Sequence, residues 1–430
     1  MVKPEDGLVS ARVFVDPDVY QLELEHIFAS TWLFLGHESE LPKAGDFVTR
    51  RMGEDPVIVV RDDDGHIHVL LNVCRHRGRK LCSEDCGNTT FFRCGYHGWT
   101  YAQSGDLTGV PFLDAYQGRL DKRALGLQRA ASVDTYHGLI FATWNPDCEP
   151  LREYLGDIAW TLDILFGRTD RMEVAGPPLR WLIDANWKLP VGNFAGDGHH
   201  LMTTHGFSGA LGLKAKRASR RGYSVATANG HGAVLTNWAK ETAHQPYLAL
   251  ASEVVPELER NLSAGQRLVL RDLQVIVGNV FPNMSFLDTA SHSPAEWGGP
   301  EGLDMSFLTV RQWQPRGVGQ LEVWSWLLLD KSAPVPWLEA STACYERVFG
   351  VAGVFEQDDT ENWSSISSAL RGPMARRLWA DYRMGLGVSP SPEWIGQGQG
   401  YLQQGQFWEV NERNFYQRWR ELMTRCSASG

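Results

Sequence analysis

The sequence predicts an α+β protein in two parts: a small all-β domain over residues 38–158, and a larger domain mixing helices with long strands. Three observations carry this. Two mixed clusters, Cys74-Arg75-His76 and Cys94-Gly95-Tyr96-His97, stand 17 residues apart among short β-rich segments. Past Pro150, helical stretches alternate with long apolar runs, of which 320–329 is the clearest. The 430-residue length leaves room for two or three domains, at roughly 100–200 residues each.

Along the chain, the first element is a helix. Tyr20, Leu24, Ile27, Phe28 and Trp32 recur at helical spacing over 17–35, and Asp16-Pro17 supplies an N-cap acid with proline at the first helical position. From Gly45 the pattern turns to strands. Residues 57–61 and 68–72 are β-rich runs on either side of Asp62-Asp63-Asp64-Gly65, a hairpin turn. Phe91–Arg93 and Leu139–Thr143 read as further short strands, so both clusters fall on loops of a β scaffold. The last strong helix is expected over 411–423, with Phe415, Trp419 and Leu422 near helical spacing against Arg413, Arg418 and Glu421. It reads as a packing element rather than a site.

Each cluster offers one thiolate and one imidazole, two sulfurs and two nitrogens in all. That is the donor set of a Rieske [2Fe–2S] centre, in which cysteines hold one iron and histidines the other. A Cys₂His₂ zinc site is the rival. Zinc modules usually pair cysteine with cysteine and histidine with histidine, whereas here each cluster is mixed.

A second group of residues has the composition of an open non-haem iron site. Two histidines and one carboxylate on one face of Fe(II) leave positions free for O₂. His199, His200 and His205 lie close together, and spacing alone does not choose between the first two. Asp197 stands three residues before His200, the spacing that shares a helix face. Asp358 and Asp359 are adjacent and point in different directions, so no more than one would reach a shared metal, and taken alone the run 358–362 reads as a solvated charge run.

These segments resemble a known family. Cys74-Arg75-His76-Arg77-Gly78 with Cys94-Gly95-Tyr96-His97-Gly98-Trp99 resembles the Rieske segment of ring-hydroxylating oxygenase large subunits. Asn186-Trp187-Lys188, then Asn193-Phe194-Ala195-Gly196-Asp197-Gly198-His199-His200 to His205, is similar to that family's mononuclear iron motif. Phe349-Gly350-Val351-Ala352-Gly353-Val354-Phe355-Glu356-Gln357-Asp358-Asp359 is similar to its distal carboxylate segment. The three blocks fall in the family's order and span about residues 40–365.

The resemblance implies a fold, cofactors and roles. The Rieske domain would be inserted in a catalytic domain, 1–37 with 159–430, built on a large antiparallel sheet flanked by helices. Cys74, His76, Cys94 and His97 would hold the [2Fe–2S] cluster. His200, His205 and Asp359 would hold a mononuclear Fe(II), although His199 stands where the family commonly has tyrosine. Asp197 would link His97 of one chain to His200 of another, which implies a ring-shaped α₃ or α₃β₃ assembly. Asn193, Phe194, Leu201, Phe349 and Phe355 would line the substrate pocket. The activity implied is cis-dihydroxylation of an aromatic ring with O₂, in aromatic catabolism.

Composition narrows the partners. The net charge of −10 argues against general nucleic-acid affinity, and no stretch approaches the roughly 18 apolar residues of a membrane span. An odd total of seven cysteines and no secretory signal point to a reducing cytoplasm. Cys82 and Cys86 lie within the Rieske segment but read as packing or loop residues. No G-x-G-x-x-G fingerprint is present, so electrons from NAD(P)H would arrive through a separate reductase and usually a ferredoxin.

The apolar residues near the expected iron suit a neutral arene of one to three rings. Arg217, Arg220 or Arg260 would reverse that preference if one reached the pocket. The alternatives are a monooxygenase or O-demethylase on the same scaffold, or a hydroxylase of an aromatic acid of salicylate, phthalate or benzoate type. A Rieske electron carrier is disfavoured by the roughly 270 residues beyond the cluster domain.

Overall fold

The computed structural model describes residues 1–209, 218–238, 246–292, 304–404 and 408–425. The chain divides into two compact units. One comprises Met1–Ile27 with Arg152–Gly430, and the other Phe28–Leu151.

The Phe28–Leu151 unit is all-antiparallel. Four strands run in the order Ile67–Leu71, Asp55–Arg61, Asp46–Met52 and Cys86–Asn88. Three more follow as Leu107–Gly109, Thr100–Ala102 and Phe91–Arg93, and three as Ser132–Tyr136, Leu139–Thr143 and Leu33–His37. The turn between Asp55–Arg61 and Ile67–Leu71 has Gly65 at φ +87°, which a glycine adopts without a Cβ penalty. The core of this unit contains Ile58, Val60, Leu70, Phe92, Trp99 and Tyr101, with Cys74 and Cys94 among them.

Two expectations shift here. The helix over 17–35 is real only at its start: Asp16 caps Pro17–Glu23, its side chain accepting from the Asp18 N–H at 3.1 Å, and a π-helical turn follows over Leu24–Phe28. Leu33–His37 is a strand, all five residues buried, because it pairs with Leu139–Thr143. Tertiary pairing overrides the helical spacing there. That pairing also places residues 33–37 in the cluster-bearing unit, so its compact boundary lies at Phe28 rather than 38 and at Leu151 rather than 158.

The larger unit is centred on a nine-stranded antiparallel sheet. Its order is Met172–Val174, Leu321–Asp330, Asp304–Pro315, Met284–His292, Leu273–Val280, Gly232–Trp238, Ala218–Ala226 and Gln399–Gln404, with Leu179–Ile183 also paired to Leu321–Asp330. Every residue of Leu321–Asp330 is buried, which fits a strand covered on both faces. Helices Lys188–Gly196, Val335–Phe349, Val354–Ala369 and Val410–Met423 carry or surround the candidate iron residues. Buried Glu23 is tied to this unit by Lys188 at 2.7 Å and by the indole N–H groups of Trp187 and Trp419 at 2.8 Å each. Among the described residues no helix is long and apolar enough to cross a membrane.

Candidate functional site

Two loops of the same backbone design hold the first set of donors. In each, the glycine four residues after the cysteine donates its N–H to the cysteine carbonyl at 2.9 Å, Gly78 to Cys74 and Gly98 to Cys94. Both glycines have φ +72°, so the reversal needs glycine at that offset. The cysteine N–H groups are also engaged, with Arg79 O at 2.9 Å and Trp99 O at 2.8 Å.

This brings Cys74, Cys94, His76 and His97 together, the cysteines buried and the imidazole centroids 4.6 Å apart. His76 stacks on Trp99 at 4.8 Å and 9°. Among the described residues the buried Nδ1 atoms of His76 and His97 find no hydrogen-bond partner, an orphaned pair that suits metal ligation. Burial opposes the Cys94 thiolate, but the N–H groups of Tyr96 and His97 hold its pKa below the usual thiol value. Cys82 lies in the same core with its thiol pushed up to about 11 by burial, and Cys86 is exposed on its strand.

Sequence reasoning missed Tyr101. Its hydroxyl lies 3.3 Å from Cys74 Sγ and accepts the Arg75 N–H at 3.1 Å; a metal-ligating thiolate at Cys74 can only accept, so there the hydroxyl donates to the sulfur. The signal was available: a tyrosine four residues after His97, on the strand that continues the loop.

The second set assembles around the end of Lys188–Gly196. Asp197 is the C-cap, with φ −70° and ψ 63°, and His199–Met202 forms a separate 3₁₀ turn. Asp197 and His200 therefore do not share one continuous helix face. They meet because His200 Nδ1 donates to the Asp197 carbonyl. That bond leaves His200 Nε2 as the metal-competent nitrogen.

His200 Nε2 and His205 Nε2 stand 3.5 and 3.2 Å from Asp359 Oδ1, and ligating atoms of these three residues all lie within 4.8 Å of one another. His205 and Asp359 are buried. His199 instead faces Asp197 at 3.4 Å, and Asp358 sits 3.8 Å from His205 Nδ1 with its side chain 38% exposed, so neither belongs to the three-donor set.

A cavity of about 310 Å³ opens beside this set, lined in part by Asn193, Asp197, His200, Asp381, Glu409 and Glu412. Its acidity corrects one expectation: the Val410–Met423 helix packs through Phe415, Trp419 and Leu422 but also delivers Glu412 to the recess. Gly196 permits this approach, since a Cβ there would meet Glu412 Oε2 at 2.5 Å. Burial, reinforced by the Asp197 charge, pushes the Glu412 carboxyl well above the ordinary range. Burial also opposes the Asp197 charge, but His200, with His199 adding, holds that carboxyl below its usual value.

The aromatic residues form a wall beside His205. Phe355 lies 4.8 Å from the His205 ring and 5.5 Å from Phe349, while Phe194 lies 5.3 Å from Trp313. Leu201 is half-buried, and Asn193 belongs to the polar recess, 3.5 Å from His200 Nδ1. Of the arginines considered above, Arg217 and the Arg220 side chain lie outside the described residues. Arg260 is exposed and turns back to the Pro256 carbonyl at 3.4 Å.

Sequence reasoning missed the charge that does lie behind this wall. Arg311 is fully buried, 2.5 Å from Glu356 Oε2, with its guanidinium carbon 5.1 Å from the Phe194 ring and 5.5 Å from Phe349. Burial pushes the Glu356 carboxyl up to about 7, with Arg311 opposing and Asp359 adding.

Two family models match the chain. The family model of the Rieske [2Fe–2S] domain matches residues 31–136, and that of the ring hydroxylating alpha subunit catalytic domain matches 151–425. The chain belongs to the ring-hydroxylating oxygenase alpha subunits. It is an oxidoreductase whose cofactors are a Rieske [2Fe–2S] cluster and a mononuclear iron, and it works with electron-transfer partners.

Among its relatives, biphenyl 2,3-dioxygenase subunit alpha of Rhodococcus jostii is 36% identical over 99% of this chain and 90% of its own. The N,N-dimethyl phenylurea N-demethylase subunit alpha of Sphingobium sp. is also 36% identical, over 96% of this chain and 91% of its own. Naphthalene 1,2-dioxygenase from Rhodococcus sp., solved with indole bound, superposes with a TM-score of 0.92 at 40% identity, covering 98% of this chain and 95% of that one.

Proposed function

We propose that this alpha subunit cis-dihydroxylates a neutral arene of one to three rings. The observation that carries the proposal is the set of half-buried His200 with buried His205 and Asp359, with Phe355 against His205 and Phe349 against Phe355. Cys74, Cys94, His76 and His97 would hold the cluster, and the three donors around Asp359 the iron. Bound there, the two centres supply one-electron transfer and O₂ activation.

The remaining steps belong to side chains. Three protein donors on one face leave the other side of the site open. The Asp197 carbonyl fixes the His200 tautomer, and the phenylalanines exclude water and present an apolar surface to the ring. A buried substrate carboxylate would cost several kcal/mol unless paired, and the buried guanidinium behind the aromatic wall, Arg311, is already engaged by Glu356.

Transfer between centres would run between chains. Exposed Arg75, Arg77, Arg79 and Lys80 surround the cluster loops, and Asp197, Asp381, Glu409 and Glu412 line the recess at the iron set. The Asp197 carboxylate, held ionised, supports docking of one copy's basic cluster loops onto another's recess, with Asp197 accepting from His97 and closing an α₃ ring. A small β subunit would extend it to α₃β₃, in the cytoplasm, with a ferredoxin or reductase as donor.

The demethylase relative supports a second reading, oxidative removal of a methyl group from an aryl substrate. Product analysis with a reconstituted electron chain separates the two. A cis-dihydrodiol from naphthalene or biphenyl is expected. Demethylation of a dimethyl phenylurea with no dihydrodiol supports the second reading, and turnover of salicylate or phthalate alone overturns both.

A further inference from the structure

The sheet strand Asp304–Pro315 turns alternate residues toward the iron set. Phe307 meets the Phe349 ring at 6.0 Å, and Trp313 meets Phe194 at 5.3 Å and Trp363 at 5.8 Å. Arg311 lies between them on the same face by two-residue periodicity and faces Glu356 at 2.5 Å.

Glu356 is one turn before Asp359 on the Val354–Ala369 helix, and both are buried. Side chains three apart on a helix lie on one side, about 5–6 Å between Cβ atoms, and pairs at this spacing ligate common metal centres in helical carboxylate proteins. Among the described residues neither Glu356 oxygen finds a hydrogen bond of good geometry, so both retain acceptor capacity. What holds the carboxylate is the Arg311 charge, itself set among Phe194, Phe349, Trp181 and Trp313 and tied to the Phe349 carbonyl at 3.3 Å.

Resting on the assignment of His200, His205 and Asp359 as the iron donors, we infer that Arg311 is a positioning residue that draws Glu356 away from the metal and keeps it from becoming a fourth protein ligand. The consequence is an iron face left open to O₂. Without the guanidinium, Glu356 is a buried carboxyl with free lone pairs one turn from the metal. Iron binding then displaces its proton to solvent, as metal ligation of an acid does.

The test compares Arg311→Met, Glu356→Gln and the double variant with wild type. The readouts are transfer of the mononuclear iron to a chelator and the nitrosyl EPR signal formed with nitric oxide. An added carboxylate ligand makes iron release from Arg311→Met several-fold slower and cuts its nitrosyl signal by more than half. The double variant returns both to wild-type values, because the amide does not replace the carboxylate. Damage to packing predicts the opposite, faster release.

Release from Arg311→Met as fast as wild type or faster overturns the inference, as does slow release that persists in the double variant. If Arg311→Met is not recovered folded, Arg311→Gln, which keeps a donor toward the Phe349 carbonyl, carries the same expectations. A wild-type chain holding no mononuclear iron dependent on Asp359 would refute the site assignment instead.

Discussion

Replacing Tyr101 by phenylalanine should lower the reduction potential of the Rieske cluster while leaving the fold intact. The ring is fully buried in the core of the Phe28–Leu151 unit, so phenylalanine keeps its packing and removes only the hydroxyl. That hydroxyl accepts from the Arg75 N–H and offers its hydrogen to Cys74 Sγ at 3.3 Å. A hydrogen bond to a charged group contributes roughly 1.5–3 kcal/mol, and only the part that grows when the cluster gains an electron affects the potential. If that part is a third to a half, the difference is roughly 1 kcal/mol. For a one-electron couple, where 59 mV is tenfold, this corresponds to a fall of about 40 mV. An EPR-monitored redox titration of both proteins measures it directly. A potential within ~10 mV of wild type, under roughly 0.3 kcal/mol, would refute the reasoning.

Other perturbations separate the two centres. Asp359→Ala should lose the mononuclear iron and keep the cluster's visible absorption, because the donors lie in different units; full retention of that iron, by metal analysis, points to Asp358 or another acid. Asp197→Asn should keep both metals but slow oxidation of the reduced cluster in a single turnover by about 10–100-fold, the usual effect of losing a group that orients a ligand. Wild-type rates in that variant would remove Asp197 from the relay.

Buried His231 accepts the Phe281 N–H at Nδ1 and donates from Nε2 to the Tyr154 carbonyl, each at 2.9 Å, and burial lowers its pKa to about 4. The unfolded chain therefore binds this proton more readily than the folded one. Stability is complete above about pH 6.5 and falls by roughly 3 kcal/mol as pH drops toward 4. Thermal melts across that window should show the loss, with a shallower slope in His231→Asn.

Much of the site was legible because its donors are local. Each cluster loop brings its cysteine, histidine and glycine within five residues, and backbone reversal does the rest. Asn193 through His205 is similarly a helix end followed by one turn. What stayed hidden depends on pairing across distance. Nothing near Arg311 shows that it meets Glu356, since the strand register and the docking of Val354–Ala369 decide it. Residues 33–37 carried an apolar pattern that fits either period, and the partner strand at Leu139–Thr143 settled it. Glu412 was hidden for a related reason. A helix with a good apolar stripe gives no sign of what its first turn will touch.

The Glu23 knot bears on how the protein is made. Its partners Trp187 and Lys188 come early, but Trp419 is 396 residues away and leaves the ribosome well after both. At about 5–20 residues per second, the interval is roughly 20–80 s. Every residue of Phe28–Leu151 emerges within that interval, so the cluster-bearing unit is complete while Glu23 still lacks its last hydrogen bond. The catalytic unit cannot close until Trp419 is out. Translation thus imposes an order on maturation: the iron–sulfur loops are ready to be filled before the pocket for the mononuclear iron is sealed.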